Sequence, residues 1–147
     1  MDNSQIQIVL QLLVAIILGA VLGFEREYKK KEAGLQTYSL VTLGSCLFTV
    51  MSTAAFNNFS GMSSVAFDPS RIVLAVATGI GFIGGGVIIY RQFRIEGLTT
   101  AAGLWTAAAI GIAVGLKLYG VACVATVLAA IIFIFFGAIE RKIFNKD

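Results

Sequence analysis

The sequence predicts an all-α, polytopic membrane helix bundle with about five transmembrane helices. Three observations lead there: 58% of the 147 residues are hydrophobic, only 13% are charged, and five long segments carry no interior Asp, Glu, Lys or Arg. A soluble domain of this size buries only about two-thirds of its chain's surface, too little to hide so much apolar area. Each segment is close to the roughly 20 residues needed to cross about 30 Å of hydrocarbon. An apolar segment alone in lipid must satisfy its own backbone hydrogen bonds, so all five are expected to be helical.

The first span is expected over 6–24. No basic residue precedes it and its basic cluster follows, so it reads as a retained helix and not a secretory signal. Gly19 and Gly23 sit four apart, a packing groove for a neighbouring backbone. The second span, 38–56, carries Ser39, Thr42, Ser45, Thr49 and Ser52 on one helical face. Interhelical hydrogen-bonding glue is the favoured reading of that stripe, and a hydrated cavity wall the other. Asp68 and Pro69 precede the third span, 72–90, as a capping residue and a first helical residue. Ala77, Gly81 and Gly85 recur at four-residue spacing within it, beside Gly79, Gly84 and Gly86. Close packing is the favoured reading of these glycines, and a broken transporter helix the alternative. The fourth span, 99–116, repeats the small-residue spacing as Thr99, Gly103, Ala107, Gly111 and Gly115. The fifth, 120–139, is rich in Val, Ile and Phe and reads as lipid-facing. The first, third and fourth helices are therefore expected to form the packed centre.

The basic residues orient the bundle. Arg26 and Lys29–31, Arg91 and Arg94, and Arg141, Lys142 and Lys146 fall on one side, nine of the eleven Lys and Arg. The positive-inside rule then places the N-terminus outside and the C-terminus in the cytoplasm. Tyr28, Tyr38, Tyr90 and Tyr119 fall at span ends, where interfacial aromatics are expected. The basic clusters are short, so they read as topogenic and lipid-attracting, with no nucleic-acid partner. Glu32-Ala33-Gly34-Leu35 and Glu96-Gly97-Leu98 each follow a basic stretch and open a helix, a weak internal repeat.

Chemistry has little to work with. The chain has no histidine, and Cys46 and Cys123 lie apart in apolar runs without metal-binding spacing. No phosphate-binding GxxxxGK[ST] loop occurs. Glu25 and Asp68 are expected on opposite membrane faces, about 30 Å apart, too far to share a cation. No catalytic, cofactor or metal site is expected, and the chain reads as a non-enzyme. Glu25, next to the Gly19/Gly23 groove, is expected to face the bundle and pair with a base, while Glu27 begins a hydrated loop.

Several ordered motifs carry a resemblance. Gly23-Phe24-Glu25-Arg26-Glu27, Gly34-Leu35, Leu40-Val41-Thr42-Leu43-Gly44, Asp68-Pro69-Ser70-Arg71-Ile72, the stretch 78–88 and Gly97-Leu98-Thr99-Thr100-Ala101-Ala102 through Trp105 to Gly111 resemble the MgtC/SapB family of bacterial inner-membrane proteins. The resemblance covers roughly residues 19–120. It implies a multi-pass protein of the bacterial inner (plasma) membrane, linked to growth in low magnesium and to survival of pathogens in host cells. It marks Glu25, Arg26, Asp68, Arg71, Gly81, Gly84, Gly85, Thr99, Thr100 and Trp105 as functional candidates. Gly19, Gly23, Gly103, Ala107, Gly111 and Gly115 remain the helix-packing set. The best-studied relatives are thought to restrain the F-type ATP synthase. The implied partners are thus the lipid bilayer, another membrane protein such as ATP synthase or a transporter, or a second copy in a homodimer. Gln36-Thr37-Tyr38 stands where the family usually has Arg-Thr-His, and Thr99 and Thr106 replace residues of the virulence type. No soluble C-terminal domain of the virulence type is expected, and the short SapB-like form is the expectation. The leading expectation is a regulator acting by contact, and the alternative a small transporter or channel subunit for an ion such as Mg2+.

Overall fold

The computed structural model describes residues 3–59, 68, 70–91 and 93–144. The expected roles of Pro69 and Lys146 lie outside them. The element order is α1 (Asn3–Tyr28), α2 (Leu35–Phe59), α3 (Ser70–Val87), β1 (Ile89–Arg91), β2 (Arg94–Glu96), α4 (Leu98–Gly115) and α5 (Tyr119–Ile131). A π-helical turn, Ile132–Phe136, then continues α5 into α6 (Gly137–Phe144). Among the described residues five helical segments are long and apolar enough to cross a membrane.

α4 is the hub, touching α1, α2, α3 and α5. Half of its apolar window is buried, against 11% of α3's. The centre is therefore α1, α2 and α4, not the first, third and fourth helices expected from glycine density. The reason is directional. The α4 small residues Gly103, Ala107, Gly111 and Gly115 share one face and are all buried. The glycines of α3 are spread around its axis, and only Gly84 meets α4, 3.4 Å from Ala101 Cβ by a Cβ built on it. Gly79, Gly81, Gly85 and Gly86 have open space where a side chain would stand.

On the α2 hydroxyl face Thr42 and Thr49 bond within their own helix and are not interhelical glue, while Ser45 borders an apolar cleft toward α3. Thr42, Ser45 and Thr49 are buried. Thr42 donates to Tyr38 O at 3.1 Å and Thr49 to Ser45 O at 2.8 Å, both within their own helix. These side chains and the backbone beside them press into glycine positions of the neighbouring helices. Gly111 faces Thr42 and Ser45, Gly115 faces Thr49, and Gly19 faces Thr42 and the backbone of Ser39. In lipid such close approach replaces the missing hydrophobic drive with dispersion.

The C-terminal ends of α1 and α3 differ from expectation. α1 runs past Phe24 to Tyr28 because Lys30 takes the left-handed stop position (φ 52°). Lys31 N then bonds Arg26 O at 3.0 Å and Lys30 N bonds Glu27 O at 2.9 Å, a Schellman pattern built without glycine. Lys117 (φ 63°) ends α4 the same way. The third span stops at Val87, and the expected 88–90 portion enters an antiparallel hairpin in which Tyr90 faces Ile95.

Candidate functional site

Polar groups gather where α1 ends and α2 and α4 begin. The α1 residues that turn inward are Gln11, Ala15, Gly19, Leu22, Gly23 and Arg26. Their spacing of three and four puts Arg26 on the glycine face, so the guanidinium enters the bundle and is 4% exposed. Arg26 Nη2 donates to Thr100 Oγ1 at 2.6 Å, and Thr100 donates to Glu32 Oε2 at 2.6 Å. Arg26 Cζ lies 4.7 Å from the ring centroid of Phe133, a cation–π contact. Phe133 in turn meets Tyr38 edge-on at 6.2 Å. The first loop, α4 and the π-helical turn are thus tied to one guanidinium.

Glu25 pairs with Lys29 one turn on, and the pair is mostly shielded. Lys29 Nζ also donates to Phe133 O at 3.1 Å, a carbonyl in the π-helical turn. Glu27 lies within α1, where a hydrated loop was expected, and its carboxylate accepts Leu35 N at 3.1 Å, satisfying a free donor at the α2 start. Glu25→Gln is expected to impair function more than Glu27→Gln. The first strips the shielded Lys29 of its counter-charge, while an amide at 27 still accepts from Leu35. Complementation of a low-magnesium growth defect checks the ranking, and equal growth of both variants contradicts it.

The Thr100 hydroxyl, with a backbone hydrogen bond second, holds the Glu32 carboxyl below the usual carboxylate range, despite a small opposing effect of burial. A depressed folded-state value stabilises the fold at pH above the unfolded value, and that contribution disappears as pH falls through the folded one. The parent should therefore be more stable than Glu32→Gln at neutral pH, with the gap closing on acidification. Thermal unfolding in detergent across pH 3–7 (roughly the carboxylate range and above) measures it. A gap that widens toward acid contradicts it.

Other residues marked by sequence lie elsewhere. Asp68 is exposed and accepts from Ser70 N at 2.9 Å and Ser70 Oγ at 2.7 Å at the opposite end of the bundle, beside exposed Arg71. Thr99, Trp105, Gly81 and Gly85 are exposed on helix surfaces. Tyr38, expected at the interface, is fully buried with its hydroxyl against Gly103. Sequence reading also passed over Gln11, which is 2% exposed and donates to Val114 O and Gly115 O at 3.1 and 2.9 Å. Its signal was an amide four residues before Ala15 and eight before Gly19, on the glycine face. Among the described residues no three His, Cys, Asp or Glu side chains gather to hold a metal ion.

A second feature lies on the outside. Between α2 and α3 runs an open cleft of about 680 Å³ with Leu40, Phe48, Val76 and Ile83 in its walls. Gly44 and Gly79 both line it and neither meets another atom where a Cβ would stand.

Five apolar helices around a buried arginine tie define a multi-pass membrane protein. The chain belongs to the MgtC family, whose model matches residues 12–142. It is 37% identical over 141 residues to YhiD of Escherichia coli K12, named as a candidate magnesium transporter, covering 96% of this chain and 66% of YhiD. It is 42% identical over 113 residues to the protein MgtC of Brucella abortus, covering 77% of this chain and 44% of that protein. It is 37% identical over 137 residues to the protein SapB of Bacillus subtilis, covering 92% of this chain and 59% of SapB. The chain thus spans between about two-fifths and two-thirds of these relatives' lengths. No solved structure matches it.

Proposed function

We propose that this chain is a non-enzymatic regulator of the bacterial inner membrane, linked to magnesium homeostasis or stress adaptation, and that it acts by helix contact with another membrane protein. The N-terminus is placed outside and the arginine-tied end in the cytoplasm, following the bias of basic residues. The magnesium setting rests on the family and on the name of YhiD. The contact mechanism rests on one observation: α3 is barely packed and carries Gly79, Gly81, Gly85 and Gly86 with nothing against them. Glycine in a helix interior costs about 1 kcal/mol relative to alanine. Gly81 and Gly85, four apart on one face and required by no neighbour within the chain, are accounted for if another helix approaches that face.

The transporter reading finds less support. The α2–α3 cleft is walled mainly by aliphatic and aromatic side chains, whereas Mg2+ keeps oxygen ligands and most of its water. The test pairs two assays on Gly81→Leu and Gly85→Leu. Both variants should fold as the parent does and fail to complement growth in low magnesium, and parent protein in liposomes should pass no Mg2+. Selective Mg2+ flux abolished by Gly85→Leu would overturn the proposal in favour of a transporter.

A further inference from the structure

The hairpin between α3 and α4 has no partner role in the bundle or in the function above. Its register places Tyr90 opposite Ile95, with Ile89 opposite Glu96 and Arg91 opposite Arg94. Directly paired residues share a face and neighbouring pairs alternate. One face is therefore Tyr90 and Ile95, and the other holds positions 89, 91, 94 and 96. Tyr90 is 69% exposed, Ile95 59%, and Phe93 at the tip 92%. Phe93 is also left-handed, at φ 63°. A bulky side chain seldom takes that conformation, and this one gains no burial within the chain in return. A lone two-stranded hairpin is at best marginal in water.

Its position is fixed. β1 starts two residues after α3 leaves the apolar region at Val87. On the return, Gly97 at φ 85° lies so close to Val87 O that no side chain fits there. The Thr100–Glu32 bond puts this end level with the first loop and its three lysines. The hairpin therefore stands at the water boundary of the membrane, apolar on one face, with two arginine positions, Glu96 and Ile89 on the other.

We propose that the β1–β2 hairpin forms an interfacial anchor that seats Tyr90, Phe93 and Ile95 among the lipid headgroups and reads anionic phospholipid through Arg94. Aromatic side chains favour that depth, and each basic residue there is drawn to negative lipid. The anchor would hold the end of α3, the least packed helix, in a position that depends on headgroup charge. This is independent of what α3 contacts.

The test uses the full chain in nanodiscs, with Phe93→Trp placed in a Trp105→Phe background so that a single indole reports. The expected result is blue-shifted emission with a roughly twofold loss of intensity when the lipids are brominated near the headgroup. The quenching should be greater with phosphatidylglycerol present than in phosphatidylcholine alone, and Arg94→Gln should shrink that difference. Tyr90→Trp in the same background is the second probe, with circular dichroism verifying the fold. Water-like emission without quenching from both probes overturns the proposal. So does blue-shifted emission that bromolipid leaves untouched, which would mean that protein covers the hairpin. Equal quenching in the two lipid mixtures refutes the charge reading and with it the proposal.

Discussion

Gly111→Leu is expected to break the bundle at its centre. A Cβ at 111 would press on the carbonyl oxygen of Thr42, with Ser45 Cβ 2.9 Å and Thr42 C 3.1 Å away. Two of these are backbone atoms of α2 and cannot rotate aside. α4 would have to leave α2, and α4 also supports α1, α3 and α5. Overpacking a tight core costs about 1–3 kcal/mol and occasionally more, and contact with backbone puts this site at the upper end, about 3 kcal/mol. Unfolding by SDS titration in mild detergent should show the midpoint fall sharply. Gly85→Leu, which meets open space, should leave it in place or raise it. Equal midpoints for parent and Gly111→Leu would contradict the packing described here.

Arg26→Met should cost nearly as much and should also abolish function. The guanidinium is buried and bonded to Thr100, lies over Phe133, and with Lys31 is one of two positive charges that act on Glu32. A hydrogen bond to a charged group is worth about 1.5–3 kcal/mol and a desolvated cation–π contact about 2. Methionine recovers part of the arginine's desolvation cost, so the net loss is about 2–3 kcal/mol. Arg26→Lys keeps the charge and loses the fork, and should fall between. The same unfolding titration measures all three. A methionine variant as stable as the parent, and complementing in low magnesium, would show that the tie is dispensable.

The two sites differed in how far they could be read from sequence. Five apolar segments and the small-residue row of α4 were legible because helical periodicity assigns a face to each residue. The same rule, carried one turn further along α1, links Gln11, Ala15, Gly19, Gly23 and Arg26 and would have turned Arg26 inward. It was not followed because a charge at the expected end of a span reads as solvated. The true end lay four residues on, concealed by a lysine in the position that glycine usually takes. Tyr38 was misplaced for a related reason: a tyrosine at a span boundary suits an interface equally well, and only the vacancy beside Gly103 draws it inside. The error over α3 was of another kind. Glycine number says that backbone can approach, but only the angular distribution says from where. The bond from Thr100 to Glu32 joins residues 68 apart, and no local pattern announces it.

The open face of α3 is proposed to meet another membrane protein. Photo-crosslinking in native membranes tests it most directly, with the reactive side chain placed at position 85 in one strain and at exposed Leu128 of α5 in another. Position 85 should give one discrete protein adduct and position 128 lipid adducts alone. Lipid adducts alone from both positions would contradict it.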